Sequence, residues 1–248
     1  TKNKTIAMTQ DGKTNEIING NCDWVYEEEF EMSQAYQWSP QGNALAYYRF
    51  DERAVPEFTM MQYDSLYPTP YRYKYPKAGE PNSIIQIKIY QLASHKTTKA
   101  DIGKETDLYI PRIKWTNKDD QLCIYKLNRH QNHLELLLTH ASTGKTNTIY
   151  EETNNYYIDI NDNLQFLPDG TSFIFNSEKS GYNHFYHYNW TTKTLSPLTQ
   201  GNYDIESLIA IDEKNELLYY TSAATSPLER QLYVVNWKGE NNKLLTPE

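Results

Sequence analysis

Phe166-Leu167-Pro168-Asp169-Gly170, followed by Phe173-Ile174-Phe175, is the stretch that decides the fold: an apolar strand end, a polar turn closed by glycine, then a second apolar strand. The same arrangement occurs in Trp38-Ser39-Pro40-Gln41-Gly42 before Leu45-Ala46-Tyr47. It occurs again in Trp115-Thr116-Asn117-Lys118-Asp119 before Leu122-Cys123-Ile124, and in Ile211-Asp212-Glu213-Lys214-Asn215 before Leu217-Leu218-Tyr219. Counted from Trp38, successive units start 77, 51 and 45 residues apart. The last two intervals match the ~40–50 residues of a four-stranded propeller blade, and the first is one blade with an insertion of roughly thirty residues. The last two units also share a Leu-Thr ending, at Leu198-Thr199 and at Leu244-Leu245-Thr246.

Outside these units the signals are those of strands. Ser83–Tyr90, Leu122–Leu127, Glu135–Thr139 and Leu217–Tyr220 are short runs rich in β-branched and aromatic side chains. Asp11-Gly12, Gln41-Gly42, Thr143-Gly144 and Asp169-Gly170 separate apolar runs, as expected of tight connections in which a residue takes positive φ. The fold class is therefore all-β, a β-propeller of four-stranded blades. Lys4 to Ile18 reads as a hairpin turning at Asp11-Gly12, so the expectation is four and a half blades, with the chain starting mid-blade as a fragment of something larger. The insertion, about residues 51–82, reads as a projecting arm. A ring cut this way is expected to leave blade faces uncovered, as an open arc or in association with another copy.

Composition removes several classes. Against 24 basic residues stand 32 acidic ones, a net charge of −8, which disfavours a nucleic-acid phosphate binder. Mean hydropathy is −0.80 and no apolar run approaches the ~18 residues of a membrane span, so none is expected. Aromatics make up 14%, with 22 tyrosines, enough apolar surface to exclude disorder. Cys22 and Cys123 are too few for a disulfide scaffold and read as separate buried thiols. The first residues have no apolar signal-peptide core.

The chemistry-bearing motifs are mostly missing. No two of the ten glycines are four apart, so there is no Gly-x-Ser-x-Gly elbow, and neither a Gly-x-Gly-x-x-Gly loop nor a P-loop occurs. No catalytic residue and no cofactor is therefore assigned. His130 and His133, and His184 and His187, lie three apart, which on strands sends the side chains to different faces. These four, with His95 and His140, read as surface or blade-packing residues rather than metal ligands.

Glu27-Glu28-Glu29 is the informative exception. Three adjacent glutamates are ordinarily a solvated face. Here they lie between the apolar anchors of Asp23-Trp24-Val25-Tyr26 and Phe30, with no Gly or Pro to make a loop tip. If the segment is helical, neighbours ~100° apart can converge on one cation; if it is a strand, they cannot. The candidates are Lys, Arg, a metal or a peptide's α-ammonium, whose pKa near ~7.7–8.0 leaves it largely charged.

Asp23-Trp24-Val25-Tyr26-Glu27-Glu28-Glu29-Phe30, then Trp38–Tyr47, Val55-Pro56 and Tyr75-Pro76-Lys77-Ala78-Gly79 closely resemble, in order and spacing, the N-terminal β-propeller of the dipeptidyl peptidase IV family of the prolyl oligopeptidase clan. The likeness runs from about Ile18 to Pro247-Glu248. It implies part of an eight-bladed propeller capping an α/β-hydrolase domain, in a serine exopeptidase that removes N-terminal dipeptides with Pro or Ala at the second residue. The family's amine-binding glutamates carry over to Glu28 and Glu29, with Glu27 and Tyr26 in support. Such a pair would act as a ruler that sets the scissile bond against the nucleophile.

The family's triad lies in a hydrolase domain that would follow Glu248, and its carbonyl-binding arginine would precede Thr1, so the chain alone is expected to be inactive. The later Arg-Phe subsite has no match around Tyr156-Tyr157-Ile158-Asp159-Ile160. The arm matches the family's dimer extension, which implies that Phe58, Met60, Met61, Tyr63 and Tyr67 bury against a second subunit. The expected partners are thus peptides with a free N-terminus, the hydrolase domain of the same chain, and a second copy when full length. The resemblance also implies export to a periplasmic or cell-surface location; the sequons at Asn3 and Asn189 do not decide it. Two other readings are a non-catalytic protein-binding propeller and the propeller of a prolyl tripeptidyl peptidase.

Overall fold

In the computed structural model, which describes residues 5–246, each of the four repeats folds into an antiparallel sheet with four strand positions. The chain divides into two compact units, the first running through Thr153 and the second from Asn154.

The first unit opens with β1 (Ile17–Asn19), α1 (Trp24–Phe30), β2 (Tyr36–Trp38) and β3 (Ala44–Asp51). The arm strands β4 (Glu57–Gln62) and β5 (Thr69–Lys74) follow, then β6 (Ile84–Gln91) and β7 (Lys96–Lys99). A second blade comprises β8 (Leu108–Tyr109), β9 (Ile113–Trp115), β10 (Gln121–Asn128), β11 (His133–His140) and β12 (Thr146–Thr153). The apolar runs occupy the central strands: β3 and β10 are each buried along most of their length. Continuous apolar sequence is what a strand covered on both faces requires.

In the first blade the innermost strand is split. β1 pairs with Arg49–Asp51 and β2 with Leu45–Tyr47, both on the same edge of β3. Between them Tyr48 bridges the gap: its carbonyl accepts from Gly20 N–H and its N–H donates to Ala35 carbonyl, each at 2.9 Å. The chain can therefore leave the sheet over residues 20–35, carrying α1, without orphaning a backbone group of β3. Gly20 makes the exit at φ +72°, where a side chain would be strained.

The second unit holds two blades, β13 (Gln165–Phe166), β14 (Ser172–Ser177), β15 (His184–Asn189) and β16 (Thr194–Pro197), then β17 (Ile205–Asp212), β18 (Leu217–Ser222), β19 (Gln231–Asn236) and β20 (Lys243–Leu244). Ile174, Phe185, Leu198, Leu218, Tyr220 and Val235 belong to one core. The repeated Leu-Thr ending has a mechanical meaning. Thr199 and Thr246 accept, through Oγ1, the N–H of Phe185 and Leu232, each the second residue of its blade's third strand, at 3.0 Å.

Two expectations change. Residues 5–12 form no strand, and the hairpin over Lys4–Ile18 is replaced by a tight turn at residues 14–16, bridged from Lys13 to Ile17, with Asn15 at φ 60°. Asp11 is instead held by side chains, accepting from Asn19 Nδ2 at 2.9 Å and Arg49 Nε at 2.7 Å. Ile17–Asn19 belongs to the first blade, so the described residues make four blades, and the extra half blade is not among them. Gly12 is not at positive φ, whereas Gly42, Gly144 and Gly170 are. In the fourth repeat, Glu216 takes that conformation at φ 54° without a glycine. Asn3, Lys4, Pro247 and Glu248, on which parts of the sequence reading fall, lie outside the described residues.

Two of the histidines are held by hydrogen bonds within their blades. His184 sits between Thr199 Oγ1 and Gly201 carbonyl, each at 3.0 Å, and His133 Nε2 meets Glu151 at 2.6 Å. Cys22 and Cys123 are buried free thiols; burial, with Asp23 and Glu27 nearby, pushes Cys22 up to about 12, and burial raises Cys123 further.

Candidate functional site: the glutamate helix and the arm root

The segment Trp24–Phe30 is a helix, the one of the two geometries in which Glu28 and Glu29 can act on a single cation. Asp23 begins it, accepting the Tyr26 N–H at 3.0 Å through Oδ1, and is fixed in turn by Ser83, whose hydroxyl donates to Oδ2 at 2.6 Å. That is the geometry of an N-cap, typically worth ~0.5–2 kcal/mol. At the other end Glu31 turns the chain at φ 52°, and Met32 N–H bonds to Tyr26 carbonyl at 3.1 Å.

Seven residues are too few for a helix to persist alone, so packing must hold this one. Val25, Tyr26 and Phe30 are buried. Tyr26 lies among Phe30, Tyr48, Phe50 and Tyr109, with ring centroids 5.0–6.3 Å away. Its hydroxyl accepts the N–H of Ile110 at 2.7 Å, and burial raises its pKa well above the ordinary phenol value. Tyr26 therefore anchors the helix from beneath and is not itself exposed.

Glu27, Glu28 and Glu29 are all exposed. Glu28 and Glu29 make no hydrogen bond or ion pair with any described residue, so no internal cation neutralises them. Glu29 and Phe58 both line a cavity of 690 Å³ between the helix, the arm root and the second blade; Glu28 is not in its lining. Lys77, Tyr109, Arg129 and Gln131 share this cavity. Arg129 is held by Asp107 at 3.2 Å and Glu80 carbonyl at 3.1 Å, with its guanidinium 5.8 Å from the Tyr109 ring centre. Sequence reading missed Arg129 and Lys77. Arg129 lies in the polar turn Asn128-Arg129-His130-Gln131-Asn132, and nothing in that run distinguishes it from a solvated connection.

The arm is a two-stranded ribbon between β3 and β6. In its register Phe58 faces Tyr73 and Met60 faces Tyr71, so these four share one side while Met61 lies on the other. An aromatic seam runs from Tyr71 through Tyr73 and Tyr75 to Trp24 of the helix, ending in a ring contact of 4.1 Å. Phe58, Met60, Met61, Tyr63 and Tyr67 are all exposed; the last two, each 78% accessible, lie in the connecting loop.

Two buried carboxyls lie at the arm root. Burial pushes Asp23 above the ordinary range against the hydrogen bonds from Ser83 and Tyr26 N–H, and burial raises Glu52, with Asp23 adding to it and Lys74 opposing it. Because the folded values exceed the unfolded ones, this contribution is fully present below the unfolded range of ~3.9–4.3 and is lost as pH rises through the folded values. Asp23→Asn keeps an acceptor for Tyr26 N–H and cannot ionise, so its stability relative to the native protein is expected to improve from pH 3.5 to 7. Urea midpoints across that range measure this; a difference that does not change with pH would contradict it.

Among the described residues no group of three or more His, Cys, Asp or Glu is placed to hold a metal, and no helix is long and apolar enough to cross a membrane. An exposed pair of glutamates thus lies on a pinned helix flanked by a blade and an aromatic arm. Residues 1–248 match the family described as the dipeptidyl peptidase IV N-terminal region, and the chain belongs to that family. The match includes the residues before Ile18. The crystal structure of Porphyromonas gingivalis dipeptidyl peptidase 4 superposes with a TM-score of 0.90 at 37% identity, over 98% of this chain and 35% of that one. "Inactive dipeptidyl peptidase 10" of Mus musculus is 31% identical over 98% of this chain and 32% of its own length. "Probable dipeptidyl-aminopeptidase B" of Phaeosphaeria nodorum is 30% identical over 97% of this chain and 29% of its own. The chain spans about a third of the length of these relatives.

Proposed function

We propose that this chain is the substrate-recognition and gating propeller region of a serine-type dipeptidyl peptidase that releases N-terminal X-Pro and X-Ala dipeptides, with Glu28 and Glu29 binding the substrate α-ammonium. The observation that carries the reading is the pair itself: two adjacent, exposed carboxylates without an internal partner on a helix pinned from below. An ammonium offers three donors, and a fixed pair of carboxylates can accept them through charge-assisted bonds. The relatives named as dipeptidyl peptidases support a peptidase for the full-length protein. In this reading catalysis belongs to a C-terminal α/β-hydrolase domain, and the protein works outside the cytoplasm, in the periplasm or at the cell surface.

A second reading, favoured by the mouse relative named inactive, is a non-catalytic protein-binding propeller. Calorimetric titration of the full-length protein with Gly-Pro and N-acetyl-Gly-Pro addresses both. Binding of the free dipeptide alone supports ammonium recognition; equal affinity for the two contradicts it. Hydrolysis of a Gly-Pro amide then separates the enzyme from the non-catalytic binder.

The arm is assigned to a homodimer contact. A two-stranded ribbon is marginal alone, and its exposed Phe58, Met60, Met61, Tyr63 and Tyr67 would gain by burial. Replacing residues 57–74 by a short Gly-Ser linker is expected to convert the full-length dimer to a monomer in light scattering; a dimer that persists would refute the assignment.

A further inference from the structure

We infer that the break in the innermost strand of the second blade, at Ile110–Arg112, is a clamp that sets the position of the glutamate helix, and that Arg112 and Tyr26 are positioning residues for ammonium recognition. The inference rests on the reading of Glu28 and Glu29 given above.

β8 and β9 lie on the same edge of β10, pairing with Leu127–Asn128 and with Leu122–Ile124, and the strand is interrupted between them. Arg112 carbonyl still accepts the Tyr125 N–H at 3.0 Å, so the β10 side of the ladder stays bonded. Ile110 N–H bonds instead to Tyr26 Oη, 2.7 Å away in the buried middle of the helix. Arg112 Nη1 donates to Phe30 carbonyl at 2.9 Å, with Pro111 carbonyl at 2.8 Å as its second acceptor. Phe30 is the residue after Glu29, and its carbonyl is one of the orphan acceptors at the helix end, where a cation is favourable. Thus the break in one blade meets the helix-bearing excursion of the other, residues 20–35, at two points, one under the helix and one a single peptide from Glu29. A helix of two turns has no stiffness of its own with which to hold a carboxylate, and displacement of a binding group by ~1 Å can cost ~100-fold.

The test measures the affinity of the full-length protein for Gly-Pro. Arg112→Ala is expected to weaken binding about tenfold, and Arg112→Lys, which keeps a charged donor, to restore most of it, with similar unfolding midpoints. In a cycle with Glu29→Gln the two losses should be strongly non-additive, since a displaced helix matters little once the carboxylate is gone. Tyr26→Phe, which removes the acceptor of Ile110 N–H, is expected to act in the same direction, and the Arg112 series stands if that variant does not fold. Unchanged affinity in Arg112→Ala, equal loss in the Ala and Lys variants, or simple additivity would overturn the clamp. If Glu28→Gln and Glu29→Gln leave Gly-Pro affinity intact, ammonium recognition fails and the clamp with it. If they abolish it while Arg112→Ala does not, the clamp alone fails.

Discussion

If the full-length protein is the proposed peptidase, Glu29→Gln is expected to lower its kcat/KM for a Gly-Pro amide by about thirty- to several-thousand-fold, and Glu28→Gln to fall in the same range. Gln keeps the size and one acceptor but loses the charge. Once substrate covers the site, truncating one partner of a hydrogen-bonded charge pair costs ~2–5 kcal/mol, which gives that span at ~1.4 kcal/mol per decade. Glu29 lines the cavity and Glu28 does not, so a larger loss is expected at Glu29. Glu27→Gln, at an exposed position in the first helical turn, is the internal control and should lose less than tenfold. Steady-state kinetics of the three variants decide the ranking, and three equal, small effects would remove the glutamates from recognition.

The second large effect is on stability. Phe50 is fully buried, stacked on Tyr48 at 5.7 Å and edge-on to Tyr26 at 5.0 Å. Phe50→Ala removes that body from beneath the helix and is expected to cost ~3–5 kcal/mol, the usual range for a buried aromatic. Tyr48→Phe is the contrasting change. Its hydroxyl is buried without a hydrogen-bond partner among the described residues, so removing it should be neutral or slightly stabilising. Urea unfolding monitored by tryptophan fluorescence measures both, and a Phe50→Ala cost below ~1 kcal/mol would contradict the packing described.

The blades were legible because their signal is repeated. Trp38, Trp115, Phe166 and Ile211 each precede a turn and a buried strand, and one miscounted residue would move every apolar side chain to the wrong face. The helix was legible only as an alternative. Its seven residues carry no periodicity long enough to prove it, and its cap, Asp23, is recognisable only once Ser83 and Tyr26 are in place around it. The hairpin over Lys4–Ile18 failed for a related reason. Asp-Gly is a strong local turn signal, but Asp11 is claimed by Arg49 and Asn19, and the turn moved to residues 14–16. The split inner strands left no mark in sequence, since they are defined by which edge of β3 and β10 the short segments share. Arg112 and Arg129 stayed hidden because their partners lie up to 82 residues away, as with Arg112 and the carbonyl of Phe30.

Recognition of a free peptide N-terminus by Glu28 and Glu29 is tested most directly by comparing hydrolysis of a chromogenic Gly-Pro amide with that of its N-acylated form by the native full-length protein. Rapid release from the free amine, at least a hundredfold slower release from the acylated substrate, and loss of that preference in Glu29→Gln are expected. Equal rates on the two substrates, or a preference that survives the substitution, would contradict such recognition.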